Sequence, residues 1–272
     1  MSTTETQSIT DTKLMRIAFL SQSDSTKEFW CLMHHFNEES LKTCYYQLGA
    51  NKAVGIDGVD KKSYGEDLDS NLKKLITNMR QMSYRPAVVR QVSIPKEGKS
   101  GASRNLGISN FEDKLVQKMM QRILESIYEP LFLDCSYGFR PKRGCHDAIK
   151  ALSDHLYTRP VQTVIDIDLE NFFGTLNHQE LVKILQMKIK DSRLIRYIVR
   201  MLKSWVLANG EMTISEEGTV QGSICSPVLA NVLAHYAIDQ WFEEIVKVHC
   251  KGEVKLFRYC DDRVPRIQRR NL

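Results

Sequence analysis

From Val161 to Phe173 the chain reads VQTVIDIDLENFF, with Val161, Thr163, Ile165 and Ile167 alternating against Gln162, Val164, Asp166 and Asp168. This two-residue period predicts a strand and sets Asp166 and Asp168 on one face. Val254 to Asp262 predicts a second strand in which Tyr259 and Asp261 share a face, so two adjacent strands would bring Asp168 and Asp261 together. Elsewhere the spacing is helical. Glu112 to Tyr128 carries a stripe at Val116, Met120, Ile123 and Ile127 that Pro130 ends, and that stripe is core without a further role. Phe29 to Leu48 also reads as helix, and Gly49 to Val59 as a turn-rich connection. Asn177 and Glu180 form an N-cap and capping box for a helix through Ile189, while Ser226-Pro227 opens one carrying Leu229, Val232, Leu233 and Tyr236. Residues 1–27, rich in Ser, Thr, Asp and Gln, are expected to be flexible, with a short helix around Leu14 to Leu20. Strands framed by long helices predict an α+β fold, with helices packed on a small, mainly antiparallel sheet.

Composition changes this picture little. The chain has 272 residues, 42% hydrophobic and 26% charged, long enough for one large domain or two lobes. Its +5 charge comes from 38 basic and 33 acidic residues, and Arg263, Arg266, Arg269 and Arg270 supply four of those charges. Net charge is therefore weak support for a nucleic-acid partner; local charge is stronger. Between Arg80 and Arg104 lie Arg80, Arg85, Arg90, Lys96, Lys99 and Arg104 against the single acid Glu97. Such a stretch suits phosphates, although a solvated loop is the commoner origin of a basic run. The seven cysteines form no Cys-x-x-Cys pair and leave an odd number, which predicts reduced thiols in the cytoplasm rather than disulfides or a zinc site. No apolar run approaches the roughly 18 residues of a membrane span.

Chemistry is suggested by Tyr259-Cys260-Asp261-Asp262 at the end of an apolar segment. Adjacent aspartates also close ordinary solvated turns, so the motif gains weight only with Asp168 beside it. Three carboxylates supply oxygen ligands of the kind Mg²⁺ prefers alongside substrate phosphates. A pair of such ions would activate a primer 3′-hydroxyl and stabilise departing pyrophosphate.

A longer series of motifs runs in order: Ala53-Val-Gly-Ile-Asp-Gly-Val59, Ile94-Pro-Lys96, Arg104-Asn-Leu-Gly-Ile108, Glu112-Asp-Lys-Leu-Val-Gln117, Ser136-Tyr-Gly-Phe-Arg-Pro141, Asp166-Ile-Asp-Leu-Glu-Asn-Phe-Phe173, Val220-Gln-Gly-Ser-Ile-Cys-Ser-Pro227 and Tyr259-Cys-Asp-Asp262. Over residues 40–262 this resembles the reverse transcriptase domain of group II intron-encoded proteins, and retron-type enzymes share much of the pattern. The resemblance implies N-terminal helices and fingers over 28–160, a partial palm over 161–262 and RNA-directed DNA synthesis by two-metal nucleotidyl transfer. It implies Asp168, Asp261 and Asp262 as catalytic metal ligands for two Mg²⁺ ions, with Mn²⁺ as a substitute. Lys96, Arg104, Phe173, Gln221 and Gly222 match nucleotide-binding positions; Phe173 is the residue beneath the incoming sugar that selects deoxynucleotides. Tyr137, Phe139 and Arg140 match a template-side motif, and Arg80, Arg85 and Arg90 are expected to contact RNA. The implied partners are an RNA template or intron RNA, a DNA primer and deoxynucleoside triphosphates.

Three departures qualify the match. Gly174 stands where the family usually carries Asp, and Val220 and Ser223 stand where it carries Pro and Gly. After Asp262 the sequence Arg263-Val-Pro-Arg-Ile-Gln-Arg-Arg-Asn-Leu272 reads as a poor central strand. The expectation is therefore an atypical basic tail over 263–272, no return strand and no thumb, in a truncated polymerase weak or inactive alone. The alternative is a noncatalytic, maturase-like RNA-binding remnant.

Overall fold

Helix α5 (Phe111–Tyr128) is enclosed by protein along most of its length: Leu115, Val116, Met119, Met120, Ile123, Leu124, Ile127 and Tyr128 have no exposed surface. The computed structural model describes residues 3–95, 103–169, 171–214, 217–260 and 262–267, with side chains except at 3–9 and 262–267. The chain divides into two units, one of residues 1–130 and 173–226, the other of 131–172 and 227–272.

In the first unit α1 (Thr3–Ser23), α2 (Glu38–Gln47), α3 (Lys61–Gly65) and α4 (Leu68–Arg80) precede α5, and α7 (His178–Lys188) and α8 (Ser192–Leu202) follow. Its sheet is mixed, in the order β2-β1-β4-β5. Strand β1 (Val89–Pro95) pairs antiparallel with β2 (Ser103–Ile108) and parallel with β4 (Trp205–Ala208), and β4 turns into β5 (Glu211–Ile214). Asn209 and Gly210 make that last turn at φ 51° and 87°, the left-handed pair that a two-residue hairpin requires.

Two expectations for this unit are corrected. The helix expected around Leu14 to Leu20 is not short: α1 runs from Thr3 to Ser23, lies on α5, buries Leu14 and Ile17, pairs Asp11 with Arg122 and donates from Ser21 Oγ to the Ile127 carbonyl at 2.5 Å. Its inner stripe is Thr10, Leu14, Ile17 and Ser21, and the two polar members mask the helical period. Phe29 to Leu48 is not one helix. A 3₁₀ turn (Met33–His35) intervenes, and Asn37 Oδ1 accepts from Ser40 N to cap α2. The expected α7 cap is present, with Asn177 Oδ1 accepting from Gln179 N and Glu180 N, although Glu180 turns to Lys183 instead of closing a capping box.

The second unit holds α6 (Cys145–Thr158) and a helix that runs from α9 (Ser226–Ala234) through π-helical turns at His235–Asp239 and Phe242–Val246 to α10 (Lys247–His249). Its sheet is antiparallel in the order β3-β7-β6, where β3 is Thr163–Val164, β6 is Val254–Tyr259 and β7 is Asp262–Ile267. Two further corrections follow. Asp262–Ile267 do form a return strand, and it is the central one of the three, with Pro265 opposite Leu256. The strand expected over 161–168 shrinks to Thr163–Val164, with a further bridge at Ile167, and Ile165 and Ile167 stay 38% and 40% exposed. The ladder lapses at Ile165 and Asp166, where the register reaches Pro265 and its missing N–H.

Candidate active site

In the second unit Tyr259 and Asp262 form the last pair of the β6–β7 ladder, with Cys260 in the turn between them. Cys260 has φ 59°, the left-handed value that the favoured hairpin turns need at their first central position. Asp261 and Lys96 themselves lie outside the described residues. Strand β3 pairs Thr163 with Ile267 and Val164 with Arg266 and ends four residues before Asp168. Asp168 is exposed. Among the described residues no group of three His, Cys, Asp or Glu is placed to hold a metal ion.

One buried cation organises this hairpin. Arg258 shares β-strand parity with Val254 and Leu256 and has no exposed surface. All five of its N–H donors are met: Nε and Nη2 fork onto Asp239 at 2.8 and 2.7 Å, and Nη2 also reaches Ser136 Oγ at 2.7 Å. Nη1 donates to Asn231 Oδ1 and the Cys260 carbonyl at 3.0 and 3.1 Å. Such completeness is what makes a buried guanidinium tolerable. The backbone of Arg258 also brackets Ser136, accepting from Tyr137 N and donating to the Cys135 carbonyl. Gly138 follows so closely that a Cβ there would stand 2.3 Å from Cys260 Sγ, and its carbonyl accepts from Asn231 Nδ2 at 2.8 Å. The Ser136–Arg140 motif is thus moulded against the carboxylate hairpin. Phe139 is 53% exposed at φ 57°. Arg140 departs from its expected template-facing place: it is buried, lies over the Phe132 ring and donates to the Leu133 and Ser136 carbonyls, so its charge holds the loop.

The first unit gathers the expected nucleotide-binding motifs. Gly107 N donates to the Gln221 carbonyl at 2.6 Å, and Thr219 N donates to the Phe173 carbonyl at 2.7 Å. Gly222 has φ 106°, and a Cβ on it would stand 2.6 Å from the Gly107 carbonyl oxygen. These contacts set Gln221 and Gly222 against Gly107 near the end of β2, the strand that carries exposed Arg104, and Phe173 against Thr219. His178, unassigned by the sequence, bonds the Gly218 carbonyl through Nε2 at 2.5 Å and steadies the same loop. Arg80 and Arg85 are exposed, whereas Arg90 is half-buried and donates to the Val54 carbonyl.

Beside this turn lies a cleft of about 680 Å³, walled by Val92, Ile94, Leu106, Ile108, Phe111 and Ile224. Lys52, Lys61, Lys114 and Lys118 border it. Lys61 donates to the Leu48 carbonyl and Lys114 to that of Ala53, and burial pulls the Lys114 ammonium below its usual range. No helix among the described residues is long and apolar enough to cross a membrane.

Comparison with known proteins agrees with these motifs. Residues 94–270 match the reverse transcriptase (RNA-dependent DNA polymerase) family. The chain is similar to the group II intron-encoded protein LtrA of Lactococcus lactis subsp. cremoris, at 34% identity over 82% of this chain and 37% of that protein. It is also similar to protein YkfC of Escherichia coli K12, at 34% identity over 70% of this chain and 50% of that one. The chain thus spans half or less of these relatives' lengths. Among solved structures, a partial Cas6-RT-Cas1–Cas2 complex matches 87% of this chain and 38% of that chain, with 17% identity and a TM-score of 0.49.

Proposed function

We propose, since this chain belongs to the reverse transcriptase family, that it adds deoxynucleotides to a primer 3′-hydroxyl under the direction of an RNA template, as part of a group II intron or related retroelement. The observation that supports this reading is the β3–β7 pairing of Thr163 with Ile267 and Val164 with Arg266, which runs the segment leading to Asp168 beside the strand that begins at Asp262. Asp168, Asp261 and Asp262 would together form an all-oxygen donor set, which fits Mg²⁺ or Mn²⁺. Divalent ions held by Asp168, Asp261 and Asp262 supply Lewis-acid chemistry for phosphoryl transfer.

The remaining roles belong to the chain's own groups. Arg104 and Lys96 bind triphosphate oxygens through their charge. Gln221-Gly222 offers backbone and amide contacts to the incoming nucleotide, and Phe173 excludes a ribose 2′-hydroxyl. The cleft joins apolar walls to lysines, the combination that suits an unpaired template strand. Arg80, Arg85, Tyr137 and Phe139 add nucleic-acid contacts.

Single-nucleotide addition to a primer annealed on RNA, with Mg²⁺, tests the reading. Asp168→Asn and Asp262→Asn should each reduce incorporation by roughly 100-fold or more, as the loss of several kcal/mol of metal-based stabilisation requires. Template-independent incorporation, or activity equal to wild type in both variants, defeats the assignment. A second reading, RNA binding without synthesis, is favoured by Gly174 in place of the family's usual Asp. It predicts salt-sensitive RNA binding by a protein that extends no primer.

A further inference from the structure

Asn231 and Asp239 are eight residues apart, a spacing that on a regular α-helix leaves them roughly 80° out of line. Yet both meet one guanidinium. The π-helical turn at His235–Asp239 absorbs one extra residue, so the two side chains behave as if seven apart and share a face. An irregular helix is thus used to complete the shell around Arg258. What Arg258 then holds is specific: the carbonyl of Cys260, inside the turn and one residue before Asp261. Ser136 Oγ anchors the same guanidinium from the Tyr137-Gly138 side, where no Cβ fits against the turn.

We propose that Arg258 is a positioning residue, clamped by Asp239, Asn231 and Ser136, that fixes the backbone at Cys260 so that the aspartates after it, Asp261 and Asp262, meet Asp168 in one metal-binding geometry. The proposal rests on the reading of those carboxylates as metal ligands. A group one step removed from the ligands acts by restricting their orientation, so its loss weakens metal binding without removing an oxygen donor.

The test uses the full chain with Mn²⁺ as probe, titrated by the paramagnetic resonance of the free ion, together with hydrogen exchange of peptides covering 259–267. Arg258→Lys should hasten exchange in the turn and weaken Mn²⁺ binding about tenfold, the lower end of the usual effect of such supporting residues. Ser136→Ala, which removes a single acceptor and leaves the ion pair, should retain cooperative melting and weaken Mn²⁺ by about threefold. Phe242→Leu, a core change in the same unit, should lower the melting temperature and leave Mn²⁺ affinity unchanged. Wild-type affinity and turn exchange in folded Ser136→Ala and Arg258→Lys overturn the proposal, as does an equal loss of affinity in Phe242→Leu. If Asp262→Asn leaves Mn²⁺ binding unchanged, the ligand reading itself fails, and turn exchange alone still decides whether Arg258 fixes the hairpin.

Discussion

In the first unit the Val220–Gly222 turn is held by backbone against backbone, with Gly222 so close to the Gly107 carbonyl that it has no room for a Cβ. In the second, the Tyr259–Asp262 hairpin is held by one guanidinium that reaches four residues. The difference follows the cores beneath them. Helix α5 gives the first unit a broad apolar interior, against which a loop can be fixed by close packing alone. The buried cluster under β6 is small, centred on Phe242, Val254 and Leu256. Few apolar contacts specify strand register poorly, whereas a directional network accepts a single arrangement. A one-residue slip of β6 would turn Arg258 out of its shell and Lys255 inward.

Removal of the counter-ion should therefore produce the largest effect. Asp239→Ala leaves Arg258 buried and unpaired, and should cost about 3–5 kcal/mol of stability, measured by denaturant unfolding. A well-packed apolar pair such as Asp239→Leu with Arg258→Met should be less harmful than the single change, because no buried charge is left unmatched. A cost below about 1 kcal/mol for Asp239→Ala, within the range of exposed ion pairs, would erase the distinction between the units.

The matching change in the first unit is steric. Gly107→Ala places a methyl 2.1 Å from Val220 Cγ1 and 2.8 Å from Val89 Cγ1. Both neighbours are β-branched and stiff, so the overpacking should cost about 1–3 kcal/mol. Val220→Ala in the same chain should recover part of that loss. Additive losses in the double variant would show that the turn does not rest on β2 as described.

Both arrangements were partly legible in the sequence. The α5 stripe, the α7 cap and the start of α9 follow from period and capping residues, and the motif order led to the reverse transcriptase family. The α1 packing was hidden because half of its inner stripe is Thr10 and Ser21. The β4–β5 hairpin did carry a readable sign, Asn209-Gly210 between short apolar runs. Arg258 carried one too: it has the parity of Val254 and Leu256, and an arginine on a core face requires buried partners. Nothing local pointed to Asn231 and Asp239, since their shared face depends on a π-helical turn that the regular period conceals. Pro265 argued against a central strand, yet the chain accommodates it where the β3 ladder lapses.

Acid provides the mildest contrast between the units. Burial holds His35 in the first and His235 in the second at a pKa of about 4. A histidine whose folded value lies below the unfolded 6.5 stabilises the protein above pH 6.5 and loses that contribution as pH falls toward 4, because the unfolded chain takes up the proton first. In the first unit burial also raises Glu112 and Asp113 above the ordinary carboxylate range, which acts in the opposite sense and restores stability as pH falls. The second unit should therefore be the more acid-sensitive, losing about 1 kcal/mol between pH 7 and pH 5.5 through His235. Trp241 is that unit's sole tryptophan, so its fluorescence in a Trp30→Phe, Trp205→Phe background reports the loss directly. His235 Nδ1 has no partner, which lets His235→Leu flatten the acid limb without breaking a hydrogen bond at that atom. An unchanged acid limb in His235→Leu would assign the sensitivity to other groups and leave the two units alike in their response to pH.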